Sequence, residues 1–171
     1  MKKTLIERIE VGSGGQTVVT FSSIPQTYTD LYLVGSTRSD TDDSAVYLRP
    51  NGSTANSSNK RLYGTGTSAG STSTVLMVGG SPGPAQTANT FSNWSAYIPN
   101  YTSSNGKSIS ADAVNENNAS SASQNLNANL WNNAAAITYI ELQTGGDFVQ
   151  YSSFSLYGIT AGNDGTTTVP P

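Results

Sequence analysis

The chain has 171 residues, a net charge of −3, only 11% charged residues and 35% apolar ones, and it contains neither cysteine nor histidine. Those absences exclude disulfides, thiolate nucleophiles and Cys-ligated zinc, and they remove the commonest general base and the commonest metal ligand. Low net charge argues for a folded chain, and sparse aliphatic side chains argue for a thin core that gains from burial against a neighbouring subunit.

The start, Met1-Lys2-Lys3-Thr4, has the charge of a signal peptide. Glu7, Arg8 and Glu10 then interrupt any apolar h-region. The longest aliphatic run, Val75 to Val78, is far too short for a membrane span. An acidic balance, with a pI of about 4.7, gives no reason to expect nucleic-acid binding. The expectation is a soluble product of a cytoplasm with no nucleic-acid or membrane partner.

Helical apolar stripes are absent, and short β-rich segments separated by turn residues recur. Leu5 to Val11 reads as a strand, with Leu5, Glu7, Ile9 and Val11 on one face and Ile6, Arg8 and Glu10 on the other. Gly12 to Gly15 is a turn, so Thr17 to Phe21 is expected to close a hairpin with the first strand. Pro25 breaks the pattern. Leu31 to Gly35, apolar on both faces, reads as a central strand. Val46 to Arg49 ends at Pro50-Asn51-Gly52, an Asn-Gly turn pair. Ser53 to Ser73 is poor in apolar residues and reads as a long loop, with at most one short strand at Arg61-Leu62-Tyr63. Strands follow at Val75–Val78, Phe91–Ile98, Lys107–Val114, Leu126–Trp131, Ala136–Gln143 and Val149–Ile159. Within these, Leu126, Ala128 and Leu130 share one face and Trp131 takes the other.

This pattern predicts an all-β fold, an antiparallel β-sandwich of jelly-roll-like form, with roughly eight to ten strands. Residues 1–160 are expected to form one sandwich domain. Residues 161–171, rich in Gly, Thr and Pro, are expected to be a flexible C-terminal tail.

Four stretches of the chain resemble small virion proteins of tailed bacteriophages, including cyanophages: Ile6-Glu7-Arg8-Ile9-Glu10-Val11-Gly12-Ser13-Gly14-Gly15, Phe21 to Leu31, Leu48-Arg49-Pro50-Asn51-Gly52 and Phe154-Ser155-Leu156-Tyr157-Gly158-Ile159. The resemblance runs from Leu5 to Thr160 and rests on turns and strands, not on chemistry. It implies a β-sandwich virion component, either a capsid decoration (cement) protein or a tail-associated module. It also implies a homotrimer, with the phage major capsid protein as partner and the virion, assembled in the host cytoplasm, as location. The first strand and the C-terminal tail are the expected contact segments. The alternative is a tail-fibre or receptor-binding module for host surface glycans, and a more remote one is a polysaccharide-degrading enzyme.

Candidate chemistry is sparse, and no catalytic, cofactor-binding or metal-binding residue is assigned. Asp40, Asp42 and Asp43 form the densest acidic cluster, but glycine is missing from the sixth position of a calcium loop, and a solvated turn accounts for them. Glu7, Glu10, Asp112, Glu116, Glu141 and Asp147 contain no pair that the spacing singles out for glycoside hydrolysis. Lys60 or Lys107 would have to serve as the base for any serine nucleophile, and no motif supports this. Gly64-Thr65-Gly66 and Gly79-Gly80 lack the Lys-Ser/Thr pair and helix of a phosphate loop. Trp94, in phase with Ala96 and Ile98, reads as core rather than as a sugar platform, while Trp131 is ambiguous. Asn51, Asn56, Asn93, Asn100 and Asn118 head glycosylation triplets of the kind that arise by chance in so Asn-rich a chain.

Overall fold

The computed structural model describes residues 2–42, 44–118 and 122–160; the expected tail, 161–171, lies outside them. The described residues form twelve strands and no helix. They are β1 (Lys2–Glu10), β2 (Gln16–Phe21), β3 (Asp30–Thr37), β4 (Ser44–Pro50), β5 (Ser57–Gly64), β6 (Ala69–Thr72), β7 (Met77–Ser81), β8 (Ser92–Ile98), β9 (Lys107–Asn115), β10 (Ser123–Trp131), β11 (Ile140–Phe148) and β12 (Ser153–Thr160).

Two antiparallel sheets form a β-sandwich. The larger runs β1-β12-β3-β8-β9-β10-β5-β6 and the smaller β2-β11-β4-β7. Side chains that alternate along β3, β4, β8, β11 and β12 meet in one core. Leu31, Leu33, Trp94, Ile98, Phe154 and Leu156 come from the larger sheet, and Val19, Phe21, Val46, Leu48, Ile140 and Leu142 from the smaller. Phe154 packs edge-on against Phe148, with ring centroids 4.9 Å apart, and tilts against Trp94 at 6.1 Å.

Trp94 is gripped between the sheets. Gly35 on β3 lies directly against its indole, and a Cβ on Gly79 of β7 would lie 2.6 Å from Trp94 Cδ1. Both positions therefore exclude side chains for steric reasons. The indole Nε1 donates to the buried Thr37 hydroxyl at 3.2 Å, so the ring's one polar atom is satisfied.

Several expectations change. The first two strands do not form a hairpin: β1 pairs with β12 and β2 with β11, so the Val11–Gly15 turn carries the chain from one sheet to the other. A bulge in β1 between Leu5 and Glu7 resets the side-chain parity. Ile6 and Ile9 consequently both pack on the core, while Leu5 is exposed. The expected loop from Ser53 to Ser73 contains a hairpin, β5–β6, whose turn is closed by Thr65 and Ser68. The strand expected at Ala136–Gln143 lies later, at Ile140–Phe148, and that expected at Val75–Val78 becomes Met77–Ser81, built partly of glycine. The strand expected from Val149 begins only at Ser153.

Asparagine supplies many of the turns. Asn51, Asn56, Asn89, Asn100 and Asn118 all have positive φ, a conformation that asparagine tolerates better than other residues with a Cβ. Asn51 also accepts from the Thr138 backbone N–H at 2.9 Å and donates to the Ala136 carbonyl at 2.9 Å, tying its turn to the segment before β11.

Candidate contact surface

The eight-stranded sheet extends past the four-stranded one. Among the four strands of the smaller sheet, it is the edge strand β7 that lies against β8, β9 and β10, so β5 and β6 form a wing with no second sheet opposite. Polarity reverses on this wing. In β10 the inward residues are Asn125, Asn127, Asn129 and Trp131, and the outward ones are Gln124, Leu126, Ala128 and Leu130. Leu126, Ala128 and Leu130 do share a face, as the alternation suggests, but that face points away from the core.

The inward asparagines work as hydrogen-bonding groups. Asn129 accepts from the Met77 backbone N–H at 3.1 Å and donates to the Met77 carbonyl at 3.0 Å. Its amide thus completes the unpaired edge of β7 as a neighbouring strand would. Asn59 donates to Asn129 Oδ1 at 2.8 Å and to Asn127 Oδ1 at 3.3 Å. An apolar residue at 129 would leave the β7 edge without partners, which is why the polar parity faces inward.

The outer face is consequently apolar. Register sets Leu126 between Leu62 on β5 and Asp112 on β9, Ala128 between Lys60 and Ser110, and Leu130 between Ser58 and Ser108. Leu62 is 60% exposed and Leu126 is 55% exposed, with Leu130 and Val114 also open to solvent. Two open hollows of about 570 and 640 Å³ share Leu62 and Leu126 in their walls. Lys60 stands at one corner of the patch. Asp112 and Glu116 stand on the opposite side. Contiguous exposed apolar surface of this kind is characteristic of an interaction face.

The other sequence candidates are dispersed. Asp40 accepts from the Asp147 backbone N–H at 2.8 Å and Asp42 from the Ala85 N–H at 2.8 Å, so both brace loops; Asp43 lies outside the described residues. Among the described residues no group of three or more acidic side chains is placed to hold a metal ion. Glu10 pairs with Arg8 at 2.9 Å, Glu141 with Arg49 at 3.1 Å, and Asp112 accepts from Ser95 at 2.8 Å. Glu116 accepts from the Asn118 backbone N–H at 2.7 Å. Glu7 is exposed on β1.

Lys107 is 1% exposed, and its ammonium donates to the carbonyls of Ser103, Asn133 and Ala135 at 2.7, 3.1 and 2.6 Å. It also lies 5.3 Å from the centre of the Trp131 ring. Burial lowers its pKa, but the ammonium is fully engaged as a loop clamp. Lys60 donates to Ser73 at the surface. Trp94 and Trp131 are both buried, so neither offers a face to a sugar. Gly79 and Gly80 lie in β7 and Gly64 in β5, none before a helix.

No protein-family model, curated protein or solved structure matches the chain.

Proposed function

We propose that this protein is a structural virion subunit of a tailed phage, most specifically a capsid decoration (cement) protein that associates with its own copies and with the major capsid protein. The observation that carries the reading is the reversed polarity of β10, which together with β5 and β9 beside it commits three leucines and a valine to the outside. The resemblance of Ile6–Gly15, Phe21–Leu31, Leu48–Gly52 and Phe154–Ile159 to phage virion proteins supplies the biological setting. We also infer a jelly-roll winding. With β5, β6, β9 and β10 set aside, the chain alternates between a β1-β12-β3-β8 sheet and a β2-β11-β4-β7 sheet, except that β4 and β7 follow one another as paired neighbours in the smaller sheet.

The occupant of the apolar face is a second copy of the chain. The corner-to-corner placement of Lys60 against Asp112 and Glu116 favours it, since each copy then sets its cation against its neighbour's carboxylates. Fully burying a leucine or valine contributes about 1.5–3 kcal/mol, and these side chains are already partly covered. One such face holds copies together only weakly. A closed homotrimer that also bridges capsid subunits multiplies the contact into firm retention.

Adding purified protein to capsids stripped of it tests this reading. Co-sedimentation with the heads, and a head position in labelled virions, are the expected results. Labelling confined to the tail would replace decoration with the tail-module reading, and protein that stayed in the supernatant would refute capsid binding.

A further inference from the structure

The underside of the wing carries a second feature, independent of the apolar face. Between the inner surface of β5–β10 and the β4–β7 edge of the smaller sheet lies an open cleft of about 290 Å³. Arg61, Tyr63, Asn125 and Asn115 line it from the larger sheet, and Ser44 and Gly80 from the smaller. We infer that this cleft binds a small hydroxylated ligand through a carboxylate, with the two Nη groups of Arg61 as its bidentate partner.

Four arginines occur in the chain, and three have their guanidinium engaged. Arg8 pairs with Glu10, Arg49 pairs with Glu141, and Arg38 donates to the carbonyls of Gly83, Thr87 and Thr90. Arg61 donates through Nε to Asn125 Oδ1 at 2.7 Å, and among the described residues its Nη groups have no partner and no carboxylate lines the cleft. The guanidinium is partly buried, and that desolvation lowers its pKa, with Tyr63 and Tyr47 acting in the opposite direction.

The group is also pre-oriented. Asn125 is itself buried, so it fixes the guanidinium plane at Nε, and the Tyr63 ring lies 4.8 Å from Arg61 Cζ. What remains free is the end-on Nη pair, which matches the two oxygens of a carboxylate. The cleft lies at the lower end of the range for small-molecule sites, about 300 Å³, which suits one sugar ring or a small organic acid. Asparagine amides and the Ser44 hydroxyl supply neutral groups for ligand hydroxyls.

The test is NMR titration of the full chain with sodium glucuronate, glucose and sodium acetate, following the Arg61 Nε–H and Asn125 side-chain signals. Glucuronate is expected to shift these signals saturably in the roughly millimolar range, with glucose at least about tenfold weaker. Acetate is expected to bind more weakly than glucuronate, and acetate binding as tightly would overturn the assignment of a hydroxylated ligand. Arg61→Gln should abolish binding, Arg61→Lys should restore only part of it, and Leu126→Asp should leave it intact. Should Arg61→Gln fail to fold, the location of the wild-type shifts decides the question. No saturation by glucuronate or acetate up to roughly 50 mM, glucose binding as tightly as glucuronate, or full binding by a folded Arg61→Gln would each overturn the inference.

Discussion

The two ends of the eight-stranded sheet obey opposite rules. Around β3, β8 and β12 a second sheet lies opposite, and leucine, phenylalanine and tryptophan face inward. Around β10 and β5 only the edge of β7 lies opposite, and asparagine faces inward while leucine faces water. Both ends alternate along most of their strands. What differs is the neighbour, since a sheet face asks for apolar burial and a strand edge asks for hydrogen bonds. The difference teaches that the apolar side of an amphipathic strand need not be its core side.

The sharpest way to break this comparison is to truncate one leucine at each end. Leu33→Ala should cost about 2–5 kcal/mol in denaturant unfolding, whereas Leu126→Ala should change monomer stability by no more than about 0.5 kcal/mol. Equal costs would mean that the wing's outer face is packed in the monomer. Gly79→Ala forces a methyl against Trp94 and should cost about 1–3 kcal/mol, with a change in near-ultraviolet circular dichroism that Gly64→Ala, in open space, does not produce. Asn129→Ala strips the Met77 N–H and carbonyl of their partners and should cost about 1–3 kcal/mol. The accompanying sign would be faster hydrogen exchange at Met77; unchanged exchange there would mean that the amide does not complete the β7 edge.

The smallest expected effect is alkaline. The hydrogen bond that Tyr97 donates to Asp30 raises its pKa, and burial raises that of Tyr101, whose hydroxyl donates to the Pro25 carbonyl. Both hold their protons more firmly in the fold than in the unfolded chain. The stability they contribute is therefore complete below the ordinary tyrosine pKa of about 10 and is lost as pH rises through the elevated folded values. Tyrosinate absorbance should show two hydroxyls ionising only late, and Tyr97→Phe should flatten the loss.

Much of the fold was legible in the residues. Alternation located β2, β3, β4, β8, β9 and β10, and Asn51-Gly52 marked its turn. Pairing was less legible. The link between β1 and β2 looks like a hairpin because local sequence cannot distinguish a turn within a sheet from a crossing between sheets. The β5–β6 hairpin was hidden because its strands are polar, and β7 was displaced from Val75–Val78 because two of its residues are glycines, one of which, Gly79, is required by the indole of Trp94. The exposed apolar face was half visible. Leu126, Ala128 and Leu130 were grouped correctly, but their direction depends on what lies opposite β10, which no local pattern contains. Asn125, Asn127 and Asn129 in phase with Trp131 were the available signal, since a buried tryptophan carries its own parity inward.

Sedimentation of the wild-type chain and of Leu126→Asp, from about 10 μM to about 1 mM, tests the central claim most directly. The account predicts that wild-type mass rises with concentration toward a trimer and that Leu126→Asp, equally stable, remains a monomer throughout. A wild-type chain that stays monomeric at the highest concentration, or a Leu126→Asp chain that associates just as well, would contradict it.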